Sequence, residues 1–200
     1  MQYRAQAMQS AVPPGEGAMA AIIGLEDSDV EAACREAADS GIVEAVNLNA
    51  PGQVVIAGDA AAVERAGEAA MARGARRVLR LAVSVPAHSS LMLPAAALLR
   101  EKLEATAMRA PAGIAVYGVD VKTHSQPQEI RAGLVKQLHT PVYWAATVRT
   151  MIAAGATHIL ECGPGKVLTG LNRRIDKRRE LKMHALVDPQ SLREGMALLG

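Results

Sequence analysis

Two hundred residues, half of them hydrophobic, suffice for one domain, or one domain carrying a small insert, with a sizeable core. Phenylalanine is absent, so that core must come from Leu, Val, Ile, Met and Ala, with close helix packing through small side chains. The net charge of +2 is too small to argue for nucleic acid, Cys34 and Cys162 form neither a metal spacing nor a disulfide framework, and no segment is long and apolar enough to span a bilayer.

Met1 to Ala11 reads as a helix that stops at Val12-Pro13-Pro14-Gly15. It begins without an N-cap, as the tail of something longer would. Arg4 and Met8, four apart, share a face. Gly17 to Leu25 is a continuous apolar run and reads as a strand. Ser28 and Glu31 form a capping box that opens a helix to about Ser40. Ile42 to Asn49 and Gln53 to Gly58 are two strands joined by the turn Ala50-Pro51-Gly52. Asp59 is expected to cap a helix ending at Gly74, and Arg76 to Val83 to form a fourth strand. The order βαββαβ over Gly15 to Val83 is the ferredoxin-like pattern.

Next comes Val83-Ser84-Val85-Pro86-Ala87-His88-Ser89-Ser90-Leu91. A histidine at a strand end, followed by two serines that can cap a helix, is held by backbone, as a general base needs. The alternative is a core or capping histidine. Ser89 or Ser90 is expected to cap a helix to about Ala107, with Pro94 in its first turn. A short strand over Gly113 to Val119 follows. A helix starts at Pro127 and ends near His139, and another starts at Thr140-Pro141 and ends at Gly155. Thr157 to Cys162 is a strand, Lys166 to about Lys177 a helix, and Lys182 to Val187 a last strand. Asp188-Pro189 caps a final helix on which Leu192, Met196 and Leu199 share a face. Strands alternating with helices imply a parallel sheet.

The chain contains no Gly-x-Ser-x-Gly, and Ser84, Ser89 and Ser90 lack that geometry, so the candidate base has no evident nucleophile. Gly15-Glu16-Gly17 follows a helix and precedes a strand, the reverse of a dinucleotide loop. Gly163-Pro164-Gly165-Lys166 is a tight strand-to-helix turn whose N–H groups could meet a phosphate. Arg4 is either a surface arginine or a bidentate carboxylate clamp. His124, His139, His158 and His184 fall in no metal pattern and read as structural or surface residues. Arg173, Arg174, Lys177, Arg178, Arg179 and Lys182 crowd one stretch, as a solvated helix end or a docking patch for an acidic partner or phosphates.

Taken in order and spacing, Gly17-Ala-Met-Ala-Ala-Ile-Ile-Gly24, Asn49-Ala-Pro-Gly-Gln-Val-Val-Ile-Ala-Gly58, Val83-Ser-Val-Pro-Ala-His88-Ser89, Val135-Lys-Gln-Leu138, Thr140-Pro-Val-Tyr-Trp144 and Glu161-Cys-Gly-Pro-Gly-Lys-Val-Leu-Thr-Gly170 resemble the malonyl-CoA:acyl-carrier-protein transacylases of bacterial fatty-acid synthesis. The resemblance implies an α/β fold, a partial α/β-hydrolase-like acyltransferase domain with an inserted ferredoxin-like subdomain. Residues 15–83 would be the small subdomain, and 1–14 with 84–200 the large one, incomplete at its N-terminus.

It also implies ping-pong malonyl transfer from coenzyme A to the phosphopantetheine thiol of acyl carrier protein through an acyl-serine. His88 matches the general base and Gln137 the residue whose backbone carbonyl orients it. Arg4 matches the arginine that pairs with the malonyl carboxylate, Met8 a pocket-wall residue and Asn49 a signature on the acyl-donor side. Ala87 stands where the family often has serine or a bulkier residue. The implied partners are malonyl-CoA and acyl carrier protein, with no nucleic acid, membrane, metal or cofactor beyond the thioester substrate, in the cytoplasm. An acidic carrier protein would dock on Arg173, Arg174, Lys177 and Arg178. The family's Gly-Gln-Gly segment, serine elbow and oxyanion hole would precede Arg4, so the chain is expected to be the C-terminal two-thirds of the enzyme, truncated and inactive alone. The alternatives are a non-catalytic remnant that binds acyl carrier protein through its basic cluster, and an unstable fragment with uncovered sheet edges.

Overall fold

The apolar run after Gly15 becomes β1 (Gly17–Ile23), an inner strand of a four-stranded antiparallel sheet. The other strands are β2 (Val43–Ala50), β3 (Gln53–Asp59) and β4 (Arg77–Arg80), in the order β2-β3-β1-β4. Two helices, α2 (Asp27–Ala37) and α3 (Ala60–Ala72), cover one face. Ile22, Val54 and Ile56 from the sheet meet Val30, Cys34, Val63 and Ala66 from the helices there. On the opposite face Met19, Ala21, Val46, Val55 and Ala57 form a second buried cluster. An antiparallel sheet with one wet face would alternate apolar and polar residues. Both faces of β1 are buried, which is why its sequence is apolar throughout.

In the computed structural model, residues 2–83 and 85–199 are described, and the chain divides into two compact units after Trp144. The first unit also holds α1 (Gln2–Ala11), α4 (Leu93–Glu104) and α5 (Pro127–Lys136). Ala7, Met8 and Val12, at α1 and just beyond it, pack with Met92, Ala95 and Leu99 at α4, and with Val135 and Leu138 at the end of α5. A small hairpin, β5 (Val116–Tyr117) and β6 (Lys122–Thr123), precedes α5. Helix α6 (Trp144–Ala153) starts at the division. The second unit contains β7 (His158–Cys162) and β8 (Lys182–Leu186), paired in parallel, with α7 (Val167–Ile175) and α8 (Pro189–Ala197). Among the described residues no helix is long and apolar enough to cross a membrane.

Several local expectations are corrected. Helix α2 starts one residue before Ser28 with Glu26 at its N-cap, so the Ser28–Glu31 capping box does not form. Asp59 stands at the N-cap of α3, but its carboxylate accepts the Ile42 N–H at 2.6 Å. Strand pairing at the sheet edge takes precedence there over the helix end. No helix starts at Thr140-Pro141. Instead Val142 joins β2 in extended form, donating to Val46 O at 2.8 Å and accepting from Leu48 N at 3.0 Å. The cap expected at Asp188 does form, with Ser191 closing a reciprocal box.

Candidate active site

His88 is fixed by the end of α5. Gln137 is the C-cap of that helix, and the last carbonyls of a helix have no intrahelical donor. Two successive carbonyls there are used on one residue. The His88 main-chain N–H donates to Leu138 O at 2.9 Å, and ring Nδ1 lies 2.6 Å from Gln137 O. A carbonyl can only accept, so Nδ1 carries the proton and Nε2 keeps its lone pair. Burial pushes the His88 pKa down, the Gln137 bond partly opposes this, and the charge of Arg4 lowers it further. The product is a neutral imidazole at pH 7 with a defined basic atom.

The backbone at His88 is unusual. Its φ is +69°, a left-handed conformation in a residue that is not glycine. Such a residue costs roughly 1–3 kcal/mol and persists only where its surroundings hold it. Upstream, Pro86 is buried against Gly17, where a Cβ would lie 2.5 Å from the proline Cδ. Glycine at 17 is therefore a steric requirement of the His88 turn. Ala87 packs on both the α1–α4 cluster and the second sheet cluster. Downstream, Ser89 is fully buried and its hydroxyl donates to Pro86 O at 2.7 Å. Ser89 sits at the N-cap of a 3₁₀ turn, Ser90–Met92, without capping it through its side chain. The acceptor at that end is Glu44 of β2, which takes the Ser90 N–H at 2.8 Å. This corrects the expectation that Ser89 or Ser90 supplies the cap.

Arg4, on α1, is half-buried, and burial lowers its pKa. Its Nε is buried with no hydrogen-bond partner among the described residues. Its charge is felt at His88, where it lowers the ring pKa after burial and against the Gln137 bond. Met8 is buried in the α1–α4 cluster one turn along from Arg4. Asn49 lies in the second of two irregularities in β2, five residues along the strand from Glu44. Ser84 lies outside the described residues. A cleft of about 730 Å³ between α4 and α5 is lined by Arg100, Leu103, Glu104 and Arg131, and not by Arg4, His88 or Gln137.

In the second unit, Arg173 and Arg174 occupy the last turn of α7, and Arg178 forks onto Asp176, with Nη2 at 2.7 Å from Oδ2. Arg173, Asp176, Lys177, Arg178 and Lys182 line a cleft of about 410 Å³. The turn at Gly163-Pro164-Gly165 does not offer α7 to a phosphate. Glu161, at the end of β7, already accepts from Leu168 N, Thr169 N and Thr169 Oγ1 at 2.7–3.1 Å. Among the described residues no group of three His, Cys, Asp or Glu side chains could hold a metal.

The acyl transferase domain model matches residues 1–190. The chain belongs to the acyl transferase domain family. It is 49% identical to the malonyl CoA-acyl carrier protein transacylase of Escherichia coli K12, over 99% of this chain and 63% of that protein. The acyl-carrier-protein S-malonyltransferase of Burkholderia pseudomallei superposes with a TM-score of 0.94 at 50% identity, over 98% of this chain and 63% of the other. A malonyl-transacylase solved in complex with a type II PKS acyl-carrier protein gives 0.94 at 48%, over 98% and 62%. The chain thus spans under two-thirds of these relatives, and its architecture is the corresponding part of the acyltransferase fold with its ferredoxin-like insert. Glu44 and the Leu138 carbonyl were not anticipated from sequence. The available signal for Glu44 was a lone carboxylate in the apolar run Val43-Glu44-Ala45-Val46, where a half-buried strand charge gains from a donor.

Proposed function

We propose that the protein to which this chain belongs transfers malonyl from coenzyme A to the phosphopantetheine thiol of acyl carrier protein in the cytoplasm, through an acyl-serine whose serine lies outside these 200 residues. The carrying observation is the His88–Gln137 pair at 2.6 Å, with the charge of the half-buried Arg4 felt at the ring and its Nε buried without a partner among the described residues. Nε2 of His88 takes the proton of the serine as it attacks the thioester and returns it to the departing thiol. Arg4 supplies the charge partner for the malonyl carboxylate. An acetyl donor would leave that half-buried guanidinium without the charge partner that malonyl supplies, which favours the malonyl donor. Met8 lines the acyl pocket, Asn49 lies toward the acyl donor, and no cofactor is needed beyond the thioester substrate. The small subdomain is residues 15–83, and the large one is 1–14 with 84–200. An acidic carrier protein docks on Arg173, Arg174, Lys177 and Arg178. Arg178 contributes least, since Asp176 already opposes its charge.

The decisive experiment joins this chain to the N-terminal third of the Escherichia coli relative and assays malonyl and acetyl transfer to acyl carrier protein. The chimaera should transfer malonyl, His88→Gln should abolish the reaction, and Arg4→Ala should depress malonyl transfer while sparing or raising acetyl transfer. Equal losses for both donors would refute the clamp. The 200 residues alone should acquire no acid-stable label from radiolabelled malonyl-CoA.

A further inference from the structure

We infer that Glu44 is a positioning residue for His88, acting through the backbone of the turn that carries it. The Ser90 N–H that Glu44 accepts is two residues past the imidazole and opens the 3₁₀ turn that runs directly into α4. N–H groups at a helix start have no internal acceptor and attract negative charge. The nearest hydroxyl, that of Ser89, is turned back to Pro86 O, so the carboxylate arrives from another element altogether. Its direction follows from strand parity. Val43 and Ala45 belong with the helix-covered face and Val46 with the opposite face, so Glu44 projects to the side where Ala87 packs.

The left-handed His88 backbone is then held at three points. Pro86 sits on Gly17, the His88 N–H is bonded to Leu138 O, and the Ser90 N–H to Glu44. The first two fix the turn before and at the histidine; after it Ser89 closes back on Pro86 O within the turn itself, and Glu44 ties the turn to β2. Among the described residues the imidazole has one directional bond of its own, to Gln137 O. With the downstream hold lost, φ at His88 can relax toward ordinary values, and that relaxation swings the ring off the Gln137 carbonyl. Positioning in this sense presupposes His88 as the base of the proposed reaction, but it can be read without substrate.

The test is imidazole ¹⁵N spectroscopy of the full chain, with His88 assigned by its loss in His88→Gln and His158 as an internal reference. In the parent, Nδ1 and Nε2 of His88 should show the well-separated shifts of one tautomer. Glu44→Ala should draw the two shifts together, as both tautomers become populated. It should also speed exchange of the Ser90 amide about tenfold, the effect of losing one cap. Glu44→Gln keeps an acceptor oxygen and should restore most of both. A cap with only a structural role would accelerate Ser90 exchange and lower the melting temperature while leaving the His88 shifts where they were, and that result would overturn the inference. Glu44→Asp, one methylene short but still charged, keeps the test open should Glu44→Ala not fold. The inference requires it to move the His88 shifts as the alanine variant would, and unmoved shifts alongside faster Ser90 exchange would sink it. Because no acyl donor is present, failure here is distinguishable from failure of the chimaera to transfer malonyl.

Discussion

The two sheets of this chain solve the burial problem differently. In the antiparallel sheet, six of the seven residues of β1 are buried, and Ile22, Val54 and Ile56 are fully enclosed. In the parallel pair β7–β8, no residue of either strand is fully buried, and four of the five in each are half-exposed. The helices of that second unit also show apolar side chains to solvent: Val167 is 70% exposed on α7 and Met196 64% on α8. Parallel strands are ordinarily covered on both faces, and two strands alone are marginal. Stability therefore concentrates in the four-stranded sheet, while the second unit depends more on its polar contacts, above all those made by Glu161.

The largest test of that contrast is a matched pair of core truncations. Ile56→Ala removes a fully enclosed side chain between sheet and helices and should cost about 2–5 kcal/mol. Ile159→Ala, at the half-exposed centre of β7, should cost less than about half as much, because the site is already partly solvated. Urea unfolding at constant slope measures both. Equal costs would erase the distinction between the sheets.

The same contrast governs what the sequence revealed. The antiparallel sheet was legible because β1 is apolar on both faces and the turns Ala50-Pro51-Gly52 and Gly74 punctuate it. The parallel pair was legible from alternation with helices. Local polar signals misled wherever a distant group offered a better partner. Asp59 left its helix for Ile42 N, and Ser89 left its helix for Pro86 O. Val142 pairs with β2, although Thr140-Pro141 reads as a helix start, because a stretch of two or three residues has no period to betray an extended conformation. At the site, the family resemblance indicated His88, Gln137 and Arg4; His88 Nδ1 and Gln137 O lie 2.6 Å apart, and the charge of Arg4 lowers the His88 pKa. The Glu44 carboxylate and the Leu138 carbonyl each accept a main-chain N–H from more than forty residues away in sequence, and no spacing rule encodes that.

A smaller effect separates the units by how their ionisable groups are stabilised. Burial tends to raise the pKa of Glu161, but the bonds from Thr169 and Leu168 outweigh it, so the carboxyl titrates below the ordinary range. Glu161→Ala leaves the start of α7 without these acceptors and should cost about 0.5–2 kcal/mol, as loss of an N-cap does. A carboxyl whose folded pKa is depressed contributes fully above its unfolded value and loses that contribution as pH falls through the folded one. The difference between parent and variant should therefore be constant at neutral pH and shrink on acidification below the usual carboxylate range. A difference that persisted unchanged through that window would show that the carboxylate's charge is not what holds α7.

In the first unit the balance is reversed, and it yields the smallest and most specific prediction. Burial is the leading cause of the lowered His88 pKa; the Gln137 carbonyl works against it and Arg4 adds to it. A histidine whose folded pKa lies below its unfolded value gives full stability above the unfolded value, and that stability drains away as pH falls toward the folded one. Arg4→Gln keeps much of the side-chain bulk and removes the charge, so it should raise the His88 titration midpoint while leaving it below that of a free histidine, since burial remains. Proton NMR titration of the ring carbon hydrogens measures this directly. A midpoint that reached the free value would mean that Arg4, rather than desolvation, keeps the imidazole neutral. One that did not move would mean that the guanidinium charge is already screened at the ring, and that Arg4 does not act on the His88 titration at all.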